Sequence, residues 1–66
     1  MIKAERQDKV RQLLEEQGTV SVKEISDALG VSDMTIRRDL EELASLGEIE
    51  RVHGGARSAQ SRPHAM

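Results

Sequence analysis

Apolar residues recur at helical spacing through most of the chain and switch to strand spacing after Gly47. In residues 3–17, Val10, Leu13 and Leu14 stand at i, i+3 and i+4, with Arg6 on the same stripe, which predicts a helix ended by Gly18. Thr19-Val20-Ser21 reads as a short extended piece in which only Val20 seeks burial. Ser21-Val22-Lys23-Glu24 has the form of a capping box, so a second helix begins there, with Val22, Ile25, Ala28 and Leu29 as its apolar stripe and Gly30 as its end. Gly30-Val31-Ser32 makes a tight turn, and Ser32 caps a third helix that runs to about Leu46 and stops at Gly47. That helix is expected to bury Ile36, Leu40, Leu43 and Ala44, and to expose Asp33, Thr35, Arg37, Arg38, Glu41 and Glu42. In residues 48–53 the period falls to two, with Ile49 and Val52 as the inward candidates. Gly54-Gly55 then reads as a hairpin turn and residues 56–59 as the returning strand. From Gln60 the composition turns to Ser, Arg, Pro and His, so 59–66 read as a linker or tail after a domain at 3–58. The fold class is mostly α with a small β-hairpin.

Composition narrows this picture. Sixty-six residues make one small domain, and sixteen Val, Ile, Leu and Met side chains remain for its core once six alanines and the two terminal methionines are set aside. No residue is aromatic. The absence of cysteine leaves no disulfide framework, thiolate metal site or thiol nucleophile, and nothing points to an oxidising compartment. No apolar run approaches a membrane span, and the N-terminal residues alternate charge at once, so a cytoplasmic chain is expected. The net charge of −2 argues weakly against a nucleic-acid partner. Its distribution matters more, because within 31–66 the five arginines gather at 37–38 and 51–62.

Two helices joined by a three-residue turn form a helix-turn-helix arrangement, in which the second helix can lie in the DNA major groove. That geometry is common, but two further features strengthen it here. The third helix opens with Ser32-Asp33-Met34-Thr35-Ile36-Arg37-Arg38, a free helix N-terminus followed by adjacent guanidinium forks. A basic hairpin spanning Arg51 to Arg57 follows at once, and as a wing over about 48–58 it would set Arg51, His53 and Arg57 near the backbone or minor groove. The whole is a three-helix winged helix-turn-helix.

Residues 31–40, Val-Ser-Asp-Met-Thr-Ile-Arg-Arg-Asp-Leu, followed by Leu43, Gly47 and Arg51-Val52-His53-Gly54-Gly55-Ala56, closely resemble the N-terminal domain of DeoR-type bacterial transcriptional regulators. Arg6, Leu13, Val20, Ile25 and Leu29 also fall on that family's helix 1 and helix 2 positions, so the resemblance covers about residues 3–58. It implies a helix-turn-helix at about 20–39, recognition residues between Ser32 and Arg38, double-stranded DNA as partner, and repression of a sugar or carbohydrate operon. It also implies a parent regulator that is a homo-oligomer. In that parent a C-terminal domain not contained in this chain senses a sugar phosphate, while the chain itself is expected to be monomeric. Among the residues, Ser32, Thr35 and Arg38 are the groove-facing candidates, and Arg37 contacts a base or a phosphate. Asp33 lies at the helix start, and Met34 has either a packing role or a base contact. Asp39 is expected to hold an arginine, adjacent or tertiary, because a bare carboxylate would repel phosphate.

The competing readings are weaker. Gly54-Gly55 lacks the helix and lysine of a phosphate-cradling loop, and His53 has no spaced metal partner. With no nucleophile, metal cluster or pocket-forming bulk, neither an enzyme nor a cofactor site is expected. The alternative is a winged-helix protein-protein interaction module docking through its acidic helix ends and wing. The assigned helix phase makes Leu40 central core, so Leu40→Ala is expected to cost on the order of 2–5 kcal/mol, read from urea unfolding. A variant that stays cooperatively folded would show that the phase is wrong.

Overall fold

The computed structural model describes residues 1–59, so all but the first residue of the tail assigned to 59–66 lies outside the described residues. The elements run α1 (Lys3–Gln17), β1 (Thr19–Ser21), α2 (Val22–Leu29), α3 (Asp33–Ser45), β2 (Ile49–Val52) and β3 (Gly55–Ser58). Their boundaries follow local chemistry. Ser21 and Glu24 close a capping box at 3.0 Å in both directions, satisfying amides that the first turn of α2 leaves unpaired. Gly30 ends α2 in the left-handed conformation, where its amide bonds the Ser26 carbonyl at 2.8 Å.

The core is aliphatic throughout. Val10 and Leu14 of α1, Val20 of β1, Val22 and Ile25 of α2, and Ile36, Leu40 and Leu43 of α3 close on Ile49 and Ala56 of the sheet. In α2 and α3 the inward positions differ from the sequence reading. In α2, Ser26 is buried and Ala28 is exposed, because at about 100° per residue 22, 25, 26 and 29 share one arc and 28 lies outside it. Ser26 satisfies its hydroxyl on the Lys23 carbonyl at 3.2 Å. In α3 the corresponding arc is 36, 39, 40 and 43, which carries Asp39 inward. Ala44 packs only at the core's edge.

The strands form a three-stranded antiparallel sheet in the order β1-β3-β2, where the sequence suggested a hairpin and a separate extended piece. Thr19, Val20 and Ser21 face Arg57, Ala56 and Gly55, while Ile49 to Val52 pair with Ser58 to Gly55 on the other side. The turn is also one residue earlier than expected. His53 and Gly54 form it, with Gly54 at φ 76°, and Gly55 is already the first residue of β3. The two adjacent glycines therefore do different work. Gly54 supplies a positive φ, whereas Gly55 lets β1 approach: a Cβ there would stand 2.3 Å from the Val20 carbonyl oxygen and 2.8 Å from the Ser21 Cα. The same approach brings the Val22 amide to the Gly54 carbonyl at 2.9 Å, tying the start of α2 to the hairpin.

These roles separate under mutation. Gly54→Ala is expected to cost about 1–2 kcal/mol through backbone strain alone. Gly55→Ala must displace backbone and is expected to cost roughly 3 kcal/mol or more. Urea denaturation of the two variants checks the order, and equal midpoints would contradict it.

Candidate nucleic-acid interface

Ser32 fixes the start of α3. Its Oγ accepts a hydrogen bond from the Thr35 amide at 3.2 Å and donates one to Thr35 Oγ1 at 3.0 Å. Asp33 lies exposed in the first turn, where its charge opposes the positive end of the helix dipole. Met34, Arg37 and Arg38 project to solvent, and with Glu41 they form the i, i+3, i+4, i+7 stripe opposite the core. Thr35 is half-buried at the edge of that stripe.

The ion pairs explain how an acidic chain presents a cationic helix face. Asp39, directly after Arg38, is 3% exposed and takes both prongs of Arg6, from Nε to Oδ2 and from Nη2 to Oδ1, the latter at 3.0 Å. The hydrogen bonding to Asp39 raises the Arg6 guanidinium above its ordinary pKa against the opposing effect of desolvation. Lys3 pairs with Glu42 at 2.8 Å, and Arg11 pairs with Glu48 and Asp8. Three cations of α1 thus neutralise carboxylates of α3 and of the segment leading into β2. Among the described residues, Arg37, Arg38 and Lys9 are the cations without a carboxylate partner, and both arginines lie on the outward stripe of α3.

The wing candidates are held differently. Arg51 is half-buried: its Nε donates to the Gly55 carbonyl at 3.1 Å and its Nη1 lies 3.8 Å from Glu41, which links the wing to the stripe on α3. Arg57 stands across from Glu50 on the exposed side of the sheet and pairs with it at 2.9 Å, which raises its pKa as well. His53 sits exposed in the turn. The structure therefore groups Ser32, Met34, Thr35, Arg37 and Arg38 on α3, brings Arg51 beside that group through Glu41, and places Arg57 and His53 on the hairpin. Arg6 is the positioning residue that sequence reasoning did not assign. Its signal was a charge lying on the apolar stripe of α1.

Among the described residues, no three His, Cys, Asp or Glu side chains gather closely enough to hold a metal ion, and no helix is long and apolar enough to cross a membrane. The model of the DeoR-like helix-turn-helix domain matches residues 6–62. The chain is 52% identical over 58 residues to the lactose phosphotransferase system repressor of Streptococcus mutans serotype c. It is 50% identical over 58 residues to the repressor of that name from Staphylococcus aureus strain NCTC 8325, and 48% over 58 residues to the one from Staphylococcus epidermidis strain ATCC 12228. Each alignment covers 88% of this chain and 23% of the relative, so the chain spans about a quarter of the length of those proteins. No solved structure matches it.

Removing one partner of a buried pair leaves the other charge uncompensated, whereas an exposed pair contributes little. Asp39→Asn keeps the side-chain shape and is expected to lower the urea midpoint clearly more than Glu42→Gln, whose partner Lys3 is exposed. The reverse order would show that Asp39 does not anchor α3.

Proposed function

The chain belongs to the DeoR-like helix-turn-helix family, and on that premise we propose that it binds duplex DNA sequence-specifically, as the operator-recognition domain of a bacterial transcriptional repressor. α3 enters the major groove with its outward stripe against base edges. The observation that carries this reading is the placement of Arg37 and Arg38, unpaired and exposed on that stripe while Asp39, Glu41 and Glu42 of the same helix are neutralised from behind or from the wing. A guanidinium fork matches guanine O6 and N7 or two phosphate oxygens. The capped N-terminus of α3, with Ser32, Asp33 and Thr35, sets the depth and register of entry, and its free amides favour a phosphate.

The wing supplies backbone contacts through Arg51, His53 and Arg57. Arg57 reaches a phosphate by exchanging Glu50 for it, a swap that costs little because the pair is exposed. A single module of this size buries a modest interface, so the domain serves as one half of a symmetric or repeated operator, bound by a homo-oligomeric parent. The relatives' names point to operons of sugar uptake or use, and the family resemblance implies a sugar phosphate as effector of the parent regulator. The role is cytoplasmic and one of binding rather than catalysis.

An amide-resolved NMR titration with a generic duplex at low salt, repeated at high salt, tests the reading. Shifts confined to about residues 30–38 and 51–57, fading with salt, are expected. Arg37→Ala and Arg38→Ala are each expected to weaken binding by roughly 1–3 kcal/mol while leaving the unfolding midpoint unchanged. A dispersed spectrum without shifts at low salt would favour the protein-docking module instead.

A further inference from the structure

The outward side of α3 carries one large apolar side chain. Met34 is 59% exposed. At about 100° per residue it lies opposite the arc of Ile36, Leu40 and Leu43, and Arg37 and Arg38 follow it on the same stripe. The small polar side chains beside it are already engaged. Ser32 Oγ both accepts from the Thr35 amide and donates to Thr35 Oγ1, and Thr35 itself is half-buried. The first two turns of this stripe therefore offer a groove two guanidinium forks and a thioether between them and the helix start, while Glu41 beyond them is paired with Arg51. Forks suit guanine edges or phosphates. A thioether has nothing to exchange with a hydrogen-bonding edge, and the one apolar group that base pairs of unmodified DNA present in the major groove is the thymine 5-methyl. Methionine is unbranched and polarizable, so it can settle on a methyl whose position varies with docking angle.

We propose that Met34 is a specificity-determining residue that reads the 5-methyl of a thymine within the half-site, an assignment that rests on the duplex-binding reading above. Arg37 and Arg38 set affinity and guanine contacts, and Met34 adds a preference that carries no charge and no salt dependence. Because Met34 lies outside the core, its replacement leaves the fold intact.

The test uses the whole chain. Duplexes are selected from a random pool, and in the tightest one each thymine is replaced in turn by deoxyuridine, which removes only the methyl. Affinities are then read by fluorescence anisotropy. The wild-type chain is expected to lose about fourfold at one thymine of the half-site, the loss set by one buried methyl, with an unchanged salt slope. Met34→Ala is expected to bind the thymine and deoxyuridine duplexes equally there. Met34→Leu is expected to keep the methyl preference. A selected site without thymine, a wild-type chain indifferent to every replacement, or a methyl effect that persists in Met34→Ala would overturn the assignment and leave duplex binding standing. No binding to any duplex at low salt would remove both readings together.

Discussion

Asp39 stands directly after the two arginines that face solvent from α3, and its contact with Arg6 is the interaction on which that face depends. An unpaired carboxylate next to Arg38 would compete with DNA for the guanidinium and repel phosphate. Turned inward and bound on both oxygens, it instead pins the helix to α1 across 33 residues of sequence. The exposed pair of Lys3 with Glu42 adds little energy by itself, but it removes a second negative charge from the same helix. The formal charge of −2 is therefore a poor guide to what this surface presents. Of the carboxylates left without a cation or capping role among the described residues, Glu5, Glu15 and Glu16 belong to α1, and Asp33 stabilises the start of α3.

Much of this was legible from the residues. The helices announce themselves because their signals are local: Ser21 with Glu24, Ser32 before a first turn, and a glycine after each apolar stripe all act within a few positions. The solvent-facing side of α3 followed from the same periodicity, since fixing Ile36, Leu40 and Leu43 as core leaves Met34, Arg37 and Arg38 outside. What stayed hidden depends on distant approach. β1 is three residues long, too short for alternation to declare a strand, and its partner lies beyond two helices. Two consecutive glycines read as one turn, and only the sheet distinguishes the residue that needs a positive φ from the one that needs an absent side chain. An arginine partner for Asp39 was foreseeable, because a bare carboxylate beside Arg38 would repel phosphate, but its identity was not.

The core shapes how these contacts matter. Ten aliphatic side chains and no aromatic ring give a domain of this length a small reserve of buried area, so polar fastenings carry a larger share of its definition than they would in a larger protein. The Arg6–Asp39 pair and the Val22–Gly54 bond each join an element of the helix-turn-helix to something outside it. Helix, turn and wing are thereby held as one geometry rather than as independently adjustable parts.

β3 is the middle strand of the sheet, with three register pairs to β1 and four to β2, and it is also the strand by which the chain leaves the sheet. A pull on Ser58 resisted through α2 would load the β1–β3 ladder in shear, because Ser58 and Ser21 lie at its opposite ends, whereas one resisted through α3 would peel β3 from Ile49 one rung at a time. Because β1 runs straight into α2, that load passes into the helix-turn-helix without a soft joint between them. The sheet thus ties the strand that ends at Ser58 and the start of α2 into one hydrogen-bonded frame, so a displacement at one is felt at the other.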